Sequence, residues 1–215
     1  QGFETWPCNG SDISWSRDGK QIAFFARINR DHALVIIDAV TGKVLRKIEL
    51  PFDQAFSPSF SPDGNWVYFS AVENITRDIY AVYAGDQKVN QIVKVTGDER
   101  FDTAPAVSPD GRQIVYVGSD GDFQHLFLLD LATGTKEQLT FGGFNDSAPS
   151  WSDDGSRLVY VSDEANQIWN LYTLDLATRT VSQWTEFIGG ADTPLFARGS
   201  LDTVYYLVFR DDDQF

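Results

Sequence analysis

The chain has 215 residues, of which 42% are apolar and 14% aromatic, enough to bury a sizeable core and unlike the composition of a disordered chain. Thirty-one acidic against 17 basic residues leave a net charge of −14, which argues against nucleic acid or anionic lipid as a partner, since both reward a basic surface. The lone Cys8 can form no internal disulfide and has no Cys-x-x-Cys companion for a metal or haem, and no apolar stretch is long enough to span a membrane as a helix.

The chain opens at Gln1 and contains no Met, so a leader peptide, had there been one, is expected to have been removed. Phe3–Trp6 reads as the fourth strand of a four-stranded unit. Residues 10–49 form a first repeat, with the phrase Ser16-Arg17-Asp18-Gly19, a second strand at Ile22–Ala26, a third at Leu34–Asp38, a turn at Thr41-Gly42-Lys43 and a fourth strand at Val44–Ile48. Residues 55–96 repeat the plan: Ser61-Pro62-Asp63-Gly64, then strands at Trp66–Ala71, Ile79–Tyr83 and Gln91–Thr96. Residues 103–140 do so again, with Ser108-Pro109-Asp110-Gly111 and strands at Ile114–Gly118, Leu126–Asp130 and Lys136–Thr140. In residues 147–185 the phrase is Ser152-Asp153-Asp154-Gly155 and the strands are Arg157–Ser162, Leu171–Asp175 and Val181–Thr185. Residues 193–215 hold an incomplete fifth copy: a first strand around Leu195-Phe196, a decayed phrase at Ala197-Arg198-Gly199-Ser200 and a second strand at Thr203–Phe209.

The glycines of the four full phrases are 45, 47 and 44 residues apart, a period that marks a repeat architecture. Each phrase is a tight turn, because Asp and Gly accept the positive φ that a hairpin needs. Second and third strands are apolar on both faces, as in Ile36-Ile37 or Phe127-Leu128-Leu129, so each sheet must be sandwiched between neighbours. Four-stranded antiparallel units packed face to face around an axis make a β-propeller. The expectation is an all-β fold: one propeller domain over residues 1–215, with about four and a half blades of a larger, five- to eight-bladed propeller. Trp15, Phe60, Trp151 and Phe196 recur at one repeat position and are expected in the core between blades.

The runs Ala148-Pro149-Ser150-Trp151-Ser152-Asp153-Asp154-Gly155, Pro58-Ser59-Phe60-Ser61-Pro62-Asp63-Gly64 and Ala104-Pro105-Ala106-Val107-Ser108-Pro109-Asp110-Gly111 resemble the repeat of TolB-like propellers, as do the strand ends Val95-Thr96 and Leu139-Thr140. The resemblance extends over essentially the whole chain. Arg17 and Asp153 stand where the phrase usually has proline, both at turn positions. The resemblance implies a propeller and a choice of roles, since such propellers occur as envelope proteins that bind lipoproteins, as modules of surface assemblies, and as N-terminal caps on prolyl-oligopeptidase-type serine peptidases. Fold alone does not decide among these.

No Gly-x-Ser-x-Gly occurs in these 215 residues, and His32 and His125 are the only histidines. Both are placed on loops between second and third strands and read as solvated. What the resemblance implies, with no such motif here, is a non-enzymatic interaction propeller of the bacterial cell envelope or an extracellular assembly, periplasmic or secreted. The alternative is the gating propeller of a peptidase whose catalytic domain lies outside this chain. The repeat also sorts charge by face. Acids crowd the loops between second and third strands and between blades, while the opposite turns are nearly neutral, so an acidic loop face is expected to dock a protein partner, either a lipoprotein or a basic segment. The candidate contact residues are Asp102, Asp120, Asp122, Phe123, Phe141, Phe144, Asp146, Trp169 and Asp192. Asp102, Asp146 and Asp192 precede first strands; singly each reads as an Asx turn before proline, and jointly they are the candidate ligands of a metal, Ca2+ being the hard cation such a ring would take. No other cofactor is expected.

Overall fold

A computed structural model describes residues 13–28, 31–85, 91–98 and 100–209. The strand expected at Phe3–Trp6 and Cys8 lie outside them. Two compact units meet in sequence at Val107 and Ser108, inside the third repeat.

In the first unit, β1 (Ile13–Trp15), β2 (Gln21–Ile28), β3 (Asp31–Asp38) and β4 (Val44–Leu50) form one antiparallel meander. β5 (Gln54–Phe60), β6 (Trp66–Glu73), β7 (Thr76–Tyr83) and β8 (Ile92–Lys94) form a second. β9 (Asp102–Val107) packs against β5, β6 and β7. In the second unit, β10 (Gln113–Asp120), β11 (Phe123–Asp130) and β12 (Lys136–Gln138) run antiparallel. β13 (Asp146–Trp151), β14 (Arg157–Ser162), β15 (Asn170–Asp175) and β16 (Val181–Gln183) form a full meander, and β17 (Ala191–Phe196) pairs with β18 (Val204–Val208).

The Ser-x-Asp-Gly phrase closes each first hairpin by a fixed network. In the fourth repeat Ser152 Oγ donates to Asp154 Oδ1 at 2.7 Å and accepts from Arg157 N at 2.9 Å, while Gly155 takes φ 73°. Ser16, Ser61 and Ser108 make the same two contacts. The outer turn has its own cap: Asp38, Asp130 and Asp175 each accept from the backbone N–H of the Thr three residues on, at 2.7, 2.8 and 2.9 Å.

Two features depart from the sequence reading. The first strands are not simply extended. Ser57, Ala104, Ala148 and Thr193, each just before a proline, have φ of 48–50°, and the ladder shifts register there in β5, β13 and β17. Proline has no N–H to lose, so a bulge at this point costs the ladder little. In addition, the second-to-third connections in the first three repeats are long hairpins, not loops. Glu73 pairs with Thr76 and Asp120 with Phe123, leaving two residues at each tip. Apolar runs on both strands carry the pairing outward, and they draw Asp78 and His125 into buried sheet.

Each unit has its own core. In the first, Phe69 is fully buried among Phe25, Phe52 and Tyr80, with ring centroids 5.4, 5.9 and 6.1 Å away. In the second, Val159, Leu171, Ala191 and Phe196 cluster, and Tyr160 stacks on Tyr172. Of the four recurring aromatics, Phe60 and Phe196 are buried and Trp151 is half-buried. Trp15 is exposed, on β1, which no described strand of an earlier repeat covers.

Candidate functional site

At one end of the second unit, three connections are stitched together: the β10–β11 hairpin tip, the β12–β13 loop and the β14–β15 loop. Asn145 is the staple. Its Oδ1 accepts from Gln124 N at 3.1 Å, its backbone N donates to Asp163 Oδ1 at 2.7 Å, and its Nδ2 donates to Asp163 Oδ2 at 3.0 Å. Asp163 N returns a bond to the Asn145 carbonyl at 3.1 Å. On the hairpin, Asp120 Oδ2 accepts from Gln138 Nε2 at 3.0 Å, Asp122 is exposed, and the turn is made by Gly121 at φ 63°.

Aromatic side chains rest on the glycines of the β12–β13 loop. The Phe144 ring lies over Gly142, where a Cβ would collide with it, and the Phe123 ring lies near Gly143 at a distance that a Cβ would also allow. Phe141 is 65% exposed. Beneath them His125, only 2% exposed, bridges the loop to the sheet. Its Nδ1 is 3.1 Å from Asp146 Oδ2, its Nε2 is 3.2 Å from the Gly142 carbonyl, and the Phe144 ring stands perpendicular to it at 5.8 Å. Because the carbonyl can only accept, Nε2 carries a hydrogen. Burial pushes the Asp146 carboxyl above its ordinary value, and the neighbouring Thr140, Ser162 and His125 offset part of that.

Of the predicted contact residues, Asp120, Asp122, Phe123, Phe141 and Phe144 come together on this surface. Trp169 is half-buried in the β14–β15 loop, where its carbonyl accepts from Ala191 N at 2.8 Å. Asp192 is half-buried and accepts from Thr193 N at 2.7 Å. Asp102, in the first unit, and Asp146 are fully buried and present nothing to a partner. Asp102 and Asp146 stand three residues before their prolines but Asp192 only two, and neighbouring strand residues point to opposite faces, so Ala191 takes the buried position. Among the described residues no three His, Cys, Asp or Glu side chains are gathered as a metal requires.

His125 corrects the reading as a solvated loop residue. It belongs to a recurring position, with Asp78 and Asn170, just before the residue whose N–H reaches the threonine at the end of the fourth strand. Ile79, Leu126 and Leu171 each donate to Thr96, Thr140 and Thr185 Oγ1 at 2.9 Å. Asp78 is buried against Lys94 Nζ at 2.8 Å, and Asn170 Oδ1 accepts from Phe187 N at 2.8 Å. The Val95-Thr96 and Leu139-Thr140 strand ends were the available signal; their partners Ile79 and Leu126 open the expected third strands, but Asp78 and His125 just before them fell where the sequence suggested loops.

Residues 12–205 match the family model of the TolB beta propeller domain. The Tol-Pal system protein TolB of Francisella tularensis subsp. holarctica is 28% identical over 121 residues, covering 54% of this chain and 26% of that protein. The crystal structure of TolB from Acinetobacter baumannii superposes with a TM-score of 0.68 at 26% identity, covering 80% of this chain and 42% of that one. A puromycin-hydrolyzing peptidase of Mycobacterium tuberculosis superposes with a TM-score of 0.67 over 86% of this chain and 32% of its own, but at 14% identity, a likeness of fold alone. The chain thus spans about a quarter of the curated relative and less than half of the TolB structure. With the family model matched across nearly all of its repeats, and the first, second and fourth of them folded as full four-stranded antiparallel meanders, the chain belongs to the TolB β-propeller family.

Proposed function

We propose that this chain is a non-enzymatic interaction propeller of the bacterial cell envelope, acting in the periplasm, and that it docks a protein partner on the stitched end of the second unit. The observation that carries the reading is the surface around Asn145. Exposed Phe141 and the edge of Phe144 offer apolar anchors, Asp120 and Asp122 supply negative charge beside them, and Asn145 and His125 hold the loops in place. Aromatic anchors rimmed by charge of one sign are what a short segment with opposite charge recognises. The family match supports a protein partner, and the partner chemistry that fits is an extended basic segment. Asp102 and Asp146, buried, are not part of the contact set, and the set does not draw on Asp192 or Trp169, both half-buried.

The test uses a fluorescein-labelled 12-residue peptide of alternating lysine and leucine as probe, with a glutamate-for-lysine version as control. Asp120→Lys with Asp122→Lys is expected to weaken binding at least tenfold and to flatten its salt dependence. Phe141→Ala is expected to weaken it without changing the salt slope. An unchanged affinity and slope in the charge-reversed protein, or equal binding of the acidic peptide, overturns the reading.

A further inference from the structure

Both ring nitrogens of the buried His125 face acceptors: Nδ1 lies 3.1 Å from Asp146 Oδ2 and Nε2 lies 3.2 Å from the Gly142 carbonyl oxygen. The carbonyl cannot donate, so Nε2 carries a hydrogen. The Asp146 contact then needs a second hydrogen, on Nδ1 against a carboxylate or on the carboxyl against a bare Nδ1. In both arrangements the pair holds one proton more than a neutral imidazole beside a carboxylate. Asp146 is fully buried and its Oδ1 accepts no hydrogen bond, so the burial that costs an ionised carboxyl most is not made good there. Removing the extra proton sets two acceptors against each other at one end of the ring. The two ends are unequal. Asp146 is fixed in the β13 ladder opposite Ser162, and a hydrogen bond to a charged acceptor is stronger than one to a carbonyl, so the one remaining ring hydrogen goes to Nδ1. The bare Nε2 then faces the Gly142 oxygen. Gly142 is exposed at φ 143° and carries the Phe144 ring, which stands perpendicular to the imidazole at 5.8 Å. The loop is the side that yields, and Phe144 moves with it.

We propose that the His125–Asp146 pair is a proton-operated latch on the β12–β13 loop, closed while the pair holds its extra proton and released when that proton is lost. Its consequence for binding rests on the docking role proposed above: Phe141 and Phe144 are presented together on the acid side and dispersed on the alkaline side. No cation substitutes for the proton, since residues 117–128, 138–148, 160–172 and 183–194, which build this end of the second unit, include no Lys or Arg. The groups nearest the pair are the hydroxyls of Thr140 and Ser162 and the phenols of Tyr160 and Tyr172, both pushed up by burial. β12 brings Glu137 and Lys136 only opposite Leu128 and Leu129, toward the far end of β11. The other titratable side chains of this end are acids: Asp120 and Asp122 at the hairpin tip, Asp163 and Glu164 in the β14–β15 loop, Glu186 after β16 and Asp192 on β17.

The test is an NMR titration of the 215-residue protein from about pH 5.5 to about pH 8, the range in which an imidazole ordinarily changes charge. The His125 ring protons, the Phe144 ring-current shifts and the backbone heteronuclear NOEs of residues 141–145 are expected to change with one midpoint, the NOEs falling on the alkaline side. Asp146→Asn supplies an amide N–H to Nδ1 and leaves Nε2–H on the Gly142 carbonyl, so it is expected to hold the loop closed across the range. His125→Gln has no proton to lose and is expected to abolish the step; it carries the comparison if Asp146→Asn fails to fold by circular dichroism. In parallel, the lysine–leucine peptide is expected to bind about tenfold more weakly above the midpoint than below it in the parent, and with constant affinity in Asp146→Asn. The latch is overturned if the loop signals stay fixed across the range, or if the step persists in either folded variant. A loop step without peptide binding at any pH upholds the latch and removes the docking role; peptide binding without a loop step does the reverse.

Discussion

Ser152 illustrates how much of a repeat rests on single side chains. It is fully buried, and its Oγ is at once the acceptor for Arg157 N and the donor to Asp154. Ser152→Ala removes both bonds and leaves a half-buried backbone N–H without its side-chain partner, so it should cost about 1–2 kcal/mol, read as a shift in the urea midpoint at constant slope. Asp153 next to it is exposed and lies outside that network, its Oδ2 accepting instead from Gly199 N at 2.6 Å, so Asp153→Ala should cost only about 0.5–1 kcal/mol through that one exposed bond. The contrast was half legible in the sequence. The phrase announced a turn through Asp and Gly but not the serine's two hydrogen bonds, because nothing in Ser-x-Asp-Gly says which side chain reaches back across the hairpin. His125 shows the same limit from the other side. A histidine just ahead of the apolar run Leu126–Leu129 reads as solvated until the hairpin around it is seen to run on as sheet.

At the scale of the element, the repeat ruler located the strands, and the departures have one cause. Sequence places a strand where apolar residues run, yet β2, β6, β7, β10 and β11 continue past those runs because two strands already paired extend their ladder until a two-residue tip ends it. That extension lifts the β10–β11 tip to meet the β12–β13 loop, which is why Phe123 and Phe144, both expected on the loop face, share one surface. The positive φ before each first-strand proline was illegible for a different reason: a residue preceding proline ordinarily avoids that region, so only tertiary pairing selects it. The β12–β13 loop offers a direct check. Gly142 has φ 143°, and a Cβ there would fall inside the Phe144 ring, so Gly142→Ala must swing Phe144 off the loop. Loss of the Phe144 ring-current shift on the His125 ring protons in the NMR spectrum is the expected signature, with weaker binding of the basic peptide; an unchanged spectrum would show that the ring does not rest where described. Stability should change less than binding, since Gly142 is exposed and the core lies below it.

On the scale of the whole molecule, the excess of acid raises the question of what low pH does, and the structure answers with two opposed sets of carboxylates. Asp18, Asp38, Asp63, Asp110, Asp130, Asp154 and Asp175 are all held below the ordinary aspartate value. In Asp18, Asp38, Asp63 and Asp110 the largest cause is a side-chain hydroxyl bond, from Ser16, Thr41, Ser61 and Ser108; in Asp130, Asp154 and Asp175 it is a backbone N–H, from Thr133, Ser156 and Thr178. A carboxyl depressed in the folded state contributes stability that is present above its unfolded value, about 4, and is lost as the pH falls through the lower folded value. Asp146 has the opposite sign: burial raises its carboxyl, so its contribution is complete below about pH 4 and declines as the pH rises. Two networks recur over seven surface turns, four with Ser-x-Asp-Gly and three with the Asp-Thr cap, while the opposing group is single, so the turns should dominate the profile. The melting temperature is expected to hold from pH 7 down to about 4 and then to fall steeply. Because four of the seven are exposed and Asp38, Asp130 and Asp175 half-exposed, each contributes little alone, and Asp18→Asn should leave the profile almost unmoved. Converting Asp63, Asp110 and Asp154 together to Asn should lower the melting temperature at pH 7 and flatten the acid limb, while Asp146→Asn should leave that limb in place. A triple variant whose acid limb is as steep as the parent's would show that acid sensitivity arises elsewhere than in the repeated turns.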